Sequence, residues 1–262
     1  MTDAGKVKRG LPLDDILVID CHAHLGPWAA FHGPKETAED MLVNMDALGI
    51  DAACISAHAA IGPDYAYGNN FMMETVKKYP GRFIGYAAIN PNYPGEIRAE
   101  IDRCLKIPQV KGIKVHPGFH KYPMDHKYYH IVYEEADKRR CPVLMHTWGM
   151  DSILAVGRIA GMYPRANFIM GHAGGSDIKA MEKAVELACM HDNLYLDLVL
   201  SMAYEGNVEW LVREAGSKKV LFGTDMPFYD GSFNLGRIAL AEISDDEKKD
   251  IFGLNAKRLL GI

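Results

Sequence analysis

Two imidazoles stand one residue apart in Asp20-Cys21-His22-Ala23-His24, directly after the apolar run Ile16-Leu17-Val18-Ile19. That run reads as a short buried strand. Side chains alternate along an extended backbone, so His22 and His24 leave it on the same side. Each offers a neutral ring nitrogen to one ion, and imidazole suits zinc and its first-row neighbours. A lone pair of this kind is weak, because many such pairs are ordinary surface or core histidines. Its meaning depends on what stands at the ends of the other strands.

Those strands are legible as apolar runs at 16–20, 52–56, 83–89, 110–115, 142–145, 167–170, 194–198 and 220–223. They are rich in Val, Ile, Leu and Phe with little polar alternation, as in strands covered on both faces. Helix-like stretches separate them: 36–48, with a Thr37-x-x-Asp40 start and a stop at Gly49, then 70–79, 94–105, 128–140, 152–162, 177–191, 207–215 and 245–260, the last opened by Ser244. Strand-helix alternation implies parallel pairing. Eight units in a chain of this length predict an α/β fold, a single-domain (β/α)8 TIM barrel over 15–262 with residues 1–14 as an N-terminal extension. An open doubly wound sheet would usually carry a Gly-rich phosphate turn after the first strand, and here that turn holds His-x-His.

A barrel gathers its reactive groups where strands end. Run one ends at His22 and His24, run four at His116, run five at His146, run six at His172 and run eight at Asp225. Each has a bland reading as a partly exposed polar residue or a helix cap. Jointly they fall on one rim, and closure sets Asp225 beside the His22/His24 pair. Three histidines and a carboxylate suffice for a mononuclear site, and the remaining histidine is free to move protons near neutral pH. His32, His58, His120 and His126 fall in loops within reach of a substrate, whereas His130 and His191 lie on helices and are expected to face solvent.

Composition excludes several roles. Of the 262 residues, 48% are hydrophobic and 24% charged, which is ordinary for an enzyme with one large core. The net charge of -5 makes no case for nucleic acid or an anionic membrane. No apolar run reaches a membrane span, and Lys6, Lys8 and Arg9 precede no secretory core. The five cysteines form no Cys-x-x-Cys pair and read as free thiols of a cytoplasmic protein. A homo-oligomer is compatible with the sequence, which does not specify it.

Taken in order, the segments Ile19-Asp20-Cys21-His22-Ala23-His24, Tyr79-Pro80-Gly81-Arg82-Phe83-Ile84-Gly85, Lys111-Gly112-Ile113-Lys114-Val115-His116-Pro117, the strand ending at His146, Gly171-His172-Ala173-Gly174-Gly175 and Leu221-Phe222-Gly223-Thr224-Asp225-Met226-Pro227 resemble the amidohydrolase superfamily. The resemblance is to its amidohydrolase-2 branch, which includes aminocarboxymuconate-semialdehyde decarboxylase-like proteins. The tail at 251–260 is similar to that family's closing helix. The resemblance implies one divalent metal, zinc before manganese or another first-row ion, held by His22, His24, His146 and Asp225, with His172 as the catalytic histidine. Binuclear relatives use a carbamylated lysine near the place of Lys114, but the Lys-x-His-Pro pattern with His116 matches the mononuclear branch better.

The first expectation is therefore a hydrolase. A metal-activated water attacks an ester, lactone or amide carbonyl of a small substrate, His172 takes the water's proton with Asp225 sharing the work, and Lys114 or His116 helps polarise the carbonyl. The alternative is a decarboxylase, a lyase acting on an unsaturated or aromatic acid. Such an acid needs a cation, with Lys35, Lys114, Lys121 and Arg237 as candidates, and flat walls. Trp28, Phe31, Phe119, Trp148, Phe228 and Tyr229 follow strand ends and supply them. A metal-holding barrel without turnover is the third reading.

Overall fold

Strands buried on both faces and joined by helices must pair in parallel, and the computed structural model of the protein, which describes residues 3–28, 33, 35–199 and 203–262, shows them doing so. The eight strands are β1 (Ile19–Leu25), β2 (Ala52–Ala57), β3 (Phe83–Ala88), β4 (Val110–Val115), β5 (Pro142–Trp148), β6 (Asn167–Gly174), β7 (Leu194–Asp197) and β8 (Val220–Leu221). They lie side by side in chain order, each parallel to the next. The chain beyond β8 completes the ring. The N–H of Cys21 donates to the Phe222 carbonyl (2.9 Å), those of Thr224 and Asp225 donate to the His22 carbonyl (3.3 and 2.7 Å), and that of His24 donates to Met226 (2.6 Å). The fold is a (β/α)8 barrel.

All eight expected strands are present, with shifted ends. β1 starts later than residue 16 and runs on to Leu25, so His22 and His24 lie within the strand and not after it. β5 and β6 likewise continue through His146 and His172. β8 is short because from Phe222 onward the backbone bonds go to β1 and to Ile251.

The outer core lies between sheet and helices, with Val18, Ile55, Val76, Ile113, Val143 and Phe168 among its fully or almost fully buried members. A second apolar cluster fills the barrel axis below the mouth: Ile19, Cys21, Cys54, Ile84, Tyr86, Leu144, Ile169 and Leu221. β1 faces this axis at Ile19 and Cys21, yet it also presents His22 and His24 to the mouth. Strict alternation forbids both. The register slips between Asp20 and Ala23, and this irregularity resets the parity so that Cys21 and His22 both point inward.

The helix capping expected at Thr37 is complete: its hydroxyl accepts the Asp40 N–H and the Asp40 carboxylate accepts the Thr37 N–H. Four helices escaped the periodicity. Asp3–Val7, His58–Ile61 and Pro117–His120 are too short to show a period, and Gly231–Leu240 is interrupted by two glycines. The closing stretch from Asp245 to Leu260 contains a wide turn at Asp250–Leu254, where Gly253 lies against the Leu17 carbonyl, which an added Cβ would approach to 2.3 Å. Near the start of the chain, Leu13 is fully buried and its N–H donates to the Leu48 carbonyl. Cys21, Cys54, Cys104 and Cys141 are buried free thiols and Cys189 is exposed.

Gly49 ends the helix Ala38–Leu48 at a φ of 79°, and a Cβ there would stand 2.4 Å from the Leu13 nitrogen. Gly49→Ala is therefore expected to destabilise the barrel by about 1–3 kcal/mol. Thermal unfolding should show the melting temperature falling by roughly 3–10 °C.

Candidate metal centre

The slipped register of β1 and the turn after β8 bring His22, His24 and Asp225 together, and one ligand atom from each lies within 4.8 Å of the others. Asp225 Oδ1 is 3.1 Å from His24 Nε2 and 3.6 Å from His22 Nε2. All three residues are buried. The protonation of the rings follows from their far sides. His22 Nδ1 donates to Asp197 Oδ2 at 2.5 Å, so its Nε2 carries a lone pair. His24 Nδ1 stands 3.0 Å from the Ser56 hydroxyl and 3.3 Å from the Ser56 carbonyl; donation to the carbonyl gives the tautomer with a lone pair on Nε2, the one an ion requires. In these tautomers two imidazole nitrogens and a carboxylate oxygen converge as acceptors, with the Lys114 amine beside His22 Nε2. That arrangement fits a divalent cation.

Burial depresses both imidazoles below their ordinary range, His22 strongly, with the Lys114 charge adding to the effect there; the neutral, ligating form is the one favoured. Burial alone would raise Asp225, but the His24 ring beside it, with His22 and His172 close by, outweighs burial whenever a ring carries the extra proton and holds the carboxyl far below the usual carboxylate range. Lys114 is almost wholly buried beneath the cluster and donates to His22 Nε2 at 2.9 Å; desolvation pulls its amine down to about 8. Two further carboxylates support the floor. Asp197 is raised to about 7 by burial, opposed by His172. Asp20, raised to about 8 by burial, accepts the Thr224 hydroxyl and the N–H groups of His22 and Thr224.

His146 stands one step away from the converging trio and is not within its 4.8 Å circle. Its ring stacks on His116 with centroids 3.9 Å apart, and its Nδ1 is 3.1 Å from His172 Nε2. His172 Nδ1 in turn donates to the Val199 carbonyl at 3.2 Å. His172 Nε2 must then be an acceptor, so His146 carries its hydrogen on Nδ1 and a lone pair on Nε2. His116 caps the turn Pro117–His120, where its Nδ1 accepts the Phe119 N–H. His172 and Asp225 also share a backbone feature: both sit at positive φ, 67° and 62°. Such non-glycine conformations cost about 1–3 kcal/mol each and concentrate at functional sites.

Above this floor is a cavity of about 240 Å³ lined by His24, Trp28, His58, Ile61, His116, Phe119, His146, Trp148, His172, Asp225, Phe228 and Tyr229. Trp28 meets Phe119 and Phe228 edge-on, and Trp148 lies 54% exposed at the rim, parallel to His146. Of the cation candidates only Lys114 lies at the cluster: Lys35 and Lys121 are exposed, and Arg237 is bonded to Leu198, Asn234 and Asn207. His120 is a structural residue, bonded to the Tyr129 hydroxyl and the Ile61 carbonyl, and His126 caps the helix Lys127–Arg139. His130 was expected to face solvent but is half-buried, bonded to the Tyr163 hydroxyl. Phe31 and His32 lie outside the described residues.

Sequence reasoning missed Asp197, Asp20, Thr224 and Ser56, which orient the cluster. Asp197 ends a strand and Asp20 opens the His-x-His motif, so strand-end position was the one available signal. No helix among the described residues is long and apolar enough to cross a membrane.

An apolar-walled barrel mouth with an N,N,O cluster at its floor defines the class: a metal-site (β/α)8 enzyme fold. The chain belongs to the amidohydrolase family, whose Amidohydro_2 model matches residues 19–262. A 2-amino-3-carboxymuconate-6-semialdehyde decarboxylase of Dictyostelium discoideum is 23% identical over 75% of this chain, which spans 66%, just under two thirds, of that relative's length. A gamma-resorcylate decarboxylase of a Polaromonas species is 24% identical over 84% of this chain and 82% of its own. Among solved structures, a 5-carboxyvanillate decarboxylase from Novosphingobium aromaticivorans, complexed with manganese and a nitrobenzoic acid, superposes with a TM-score of 0.77 at 15% identity, covering 95% of this chain and 97% of that one.

The Asp197 carboxylate fixes the His22 tautomer from behind. Asp197→Asn is expected to weaken manganese or zinc binding roughly 10–100-fold, read by competition with a chelating dye, while the circular dichroism spectrum is retained.

Proposed function

We propose that this protein is a metal-dependent decarboxylase of a small unsaturated or aromatic carboxylic acid. The pocket carries this reading: an ion-holding floor lies beneath a slot walled by Trp28, Phe119, Trp148 and Phe228, of a volume suited to a single flat ring. Carbonyl hydrolysis, ranked first on residue types alone, would use the same floor. The aromatic walls and the two decarboxylase relatives favour the lyase.

In this reading His22, His24 and Asp225 hold the ion, and His146, whose Nε2 bears a lone pair, is the fourth donor. A divalent cation, when bound, supplies concentrated positive charge for anionic substrate oxygens. Manganese is the ion to load first, given its presence in the Novosphingobium enzyme, with zinc as the alternative suited to the same donors. Lys114 adds a fixed positive charge beneath. The aromatic walls exclude water and orient the substrate ring.

Loss of carbon dioxide breaks the bond between the carboxyl and the substrate carbon and leaves its electron pair on that carbon, which must take up one proton. His172 lines the pocket and is the acid. Its Nε2 accepts the His146 Nδ1–H at rest, so it takes up a proton only as that bond opens, and the proton then passes to the substrate carbon.

The metal-loaded enzyme should release carbon dioxide from at least one benzoate- or muconate-type acid in a panel that also contains esters and lactones. His172→Asn should lower kcat by roughly 10²–10⁴-fold with metal content unchanged. Acid release from an ester or lactone, with no carbon dioxide from any acid, would overturn the assignment.

A further inference from the structure

One polar atom of the pocket is left over. His58 opens the short helix after β2 and is 2% exposed. Its Nδ1 lies 2.6 Å from the Gly26 carbonyl. A carbonyl only accepts, so the hydrogen is on Nδ1 and Nε2 carries a lone pair. Nε2 is buried and has no hydrogen-bond partner among the described residues.

The ring is clamped in place. It stacks on His24 with centroids 4.7 Å apart and on Phe228 at 4.3 Å, and the Trp28 ring is 5.1 Å away. Turning the ring to find a donor would break the Gly26 bond, and any turn short of a full flip would also break both stacks. Phenylalanine would fill the same flat space with no lone pair to desolvate. An imidazole in this place is accounted for by a hydrogen that arrives with whatever enters the cavity, which His58 lines together with His172 and Asp225.

We propose that His58 is a specificity-determining residue of this pocket, its Nε2 accepting a hydrogen bond from a hydroxyl or amino group on the substrate. A carboxylate, an ester or a lactone has no hydrogen to give there. His58 follows β2 and His172 lies in β6, four strands apart in a ring of eight, so the donor group sits on the far side of the substrate from His172. That the substrate is an acid rests on the decarboxylase reading, whereas the hydrogen bond is a matter of binding and is measured apart from turnover.

The test uses manganese-loaded enzyme, calorimetric binding and carbon dioxide release. The ligands are the three hydroxybenzoates and three aminobenzoates, each paired with its methoxy or dimethylamino counterpart. Wild type should bind at least one donor-bearing acid roughly tenfold or more tightly than its methylated partner. In His58→Phe that ratio should fall toward one. The hydroxy and amino arms tell which donor is used. A ratio near one for every pair in wild type overturns the proposal with no variant needed, and so does a preference that survives in His58→Phe. A preference lost in His58→Phe, with no carbon dioxide released from any acid, upholds the hydrogen bond and overturns the decarboxylase reading instead.

Discussion

The carbonyl of His22 accepts the N–H of Asp225 at 2.7 Å, and the site is built outward from that bond. It helps close the barrel between its first strand and the chain beyond its last. The same bond sets the carboxylate of one residue beside the imidazole of the other. Closure and site assembly are thus one event, and a change that loosens the seam between β1 and residues 222–226 also disperses the ligand cluster. Asp20 reinforces the seam from below by accepting hydrogens from both sides of it.

The cluster is an expensive object for a fold to hold. Asp20, Asp197, Asp225 and Lys114 are all buried, and isolated buried charges are strongly unfavourable. They persist because Asp20 and Asp197 accept hydrogen bonds and are pushed by burial toward their neutral forms, while Asp225 lies among the imidazoles near Lys114. His172 and Asp225 add backbone strain at positive φ. The extensive apolar layers inside and outside the sheet offset these terms. The trio is partly preorganised: burial favours the neutral imidazoles, whereas an ion would displace the Lys114 amine from His22 Nε2.

Floor and walls answer different questions. The floor, with its converging lone pairs, would serve hydrolysis or decarboxylation equally well. In the proposed reading the walls discriminate, because stacked aromatic rings favour a flat guest and the lone pair on His58 one with a hydrogen to give. At 23% and 24% identity, the two decarboxylase relatives do not fix this chain's substrate.

The sequence by itself determined the barrel and the identity of its rim. Apolar runs covered on both faces have to pair in parallel, and polar residues breaking in toward the end of such a run stand out, which is why His22, His24, His146, His172 and Asp225 were legible one by one. Only the tertiary structure decided how they are arranged around one another. Asp197 reaches His22 from 175 positions away, and the slip in β1 that turns both Cys21 and His22 inward depends on its neighbours in the closed ring. His146 joins His172, and His58 is left with an unanswered lone pair, for the same reason. Hydrogen-bond partners and ring stacks are set by distances across the barrel, and no local pattern of hydrophobicity or spacing encodes those.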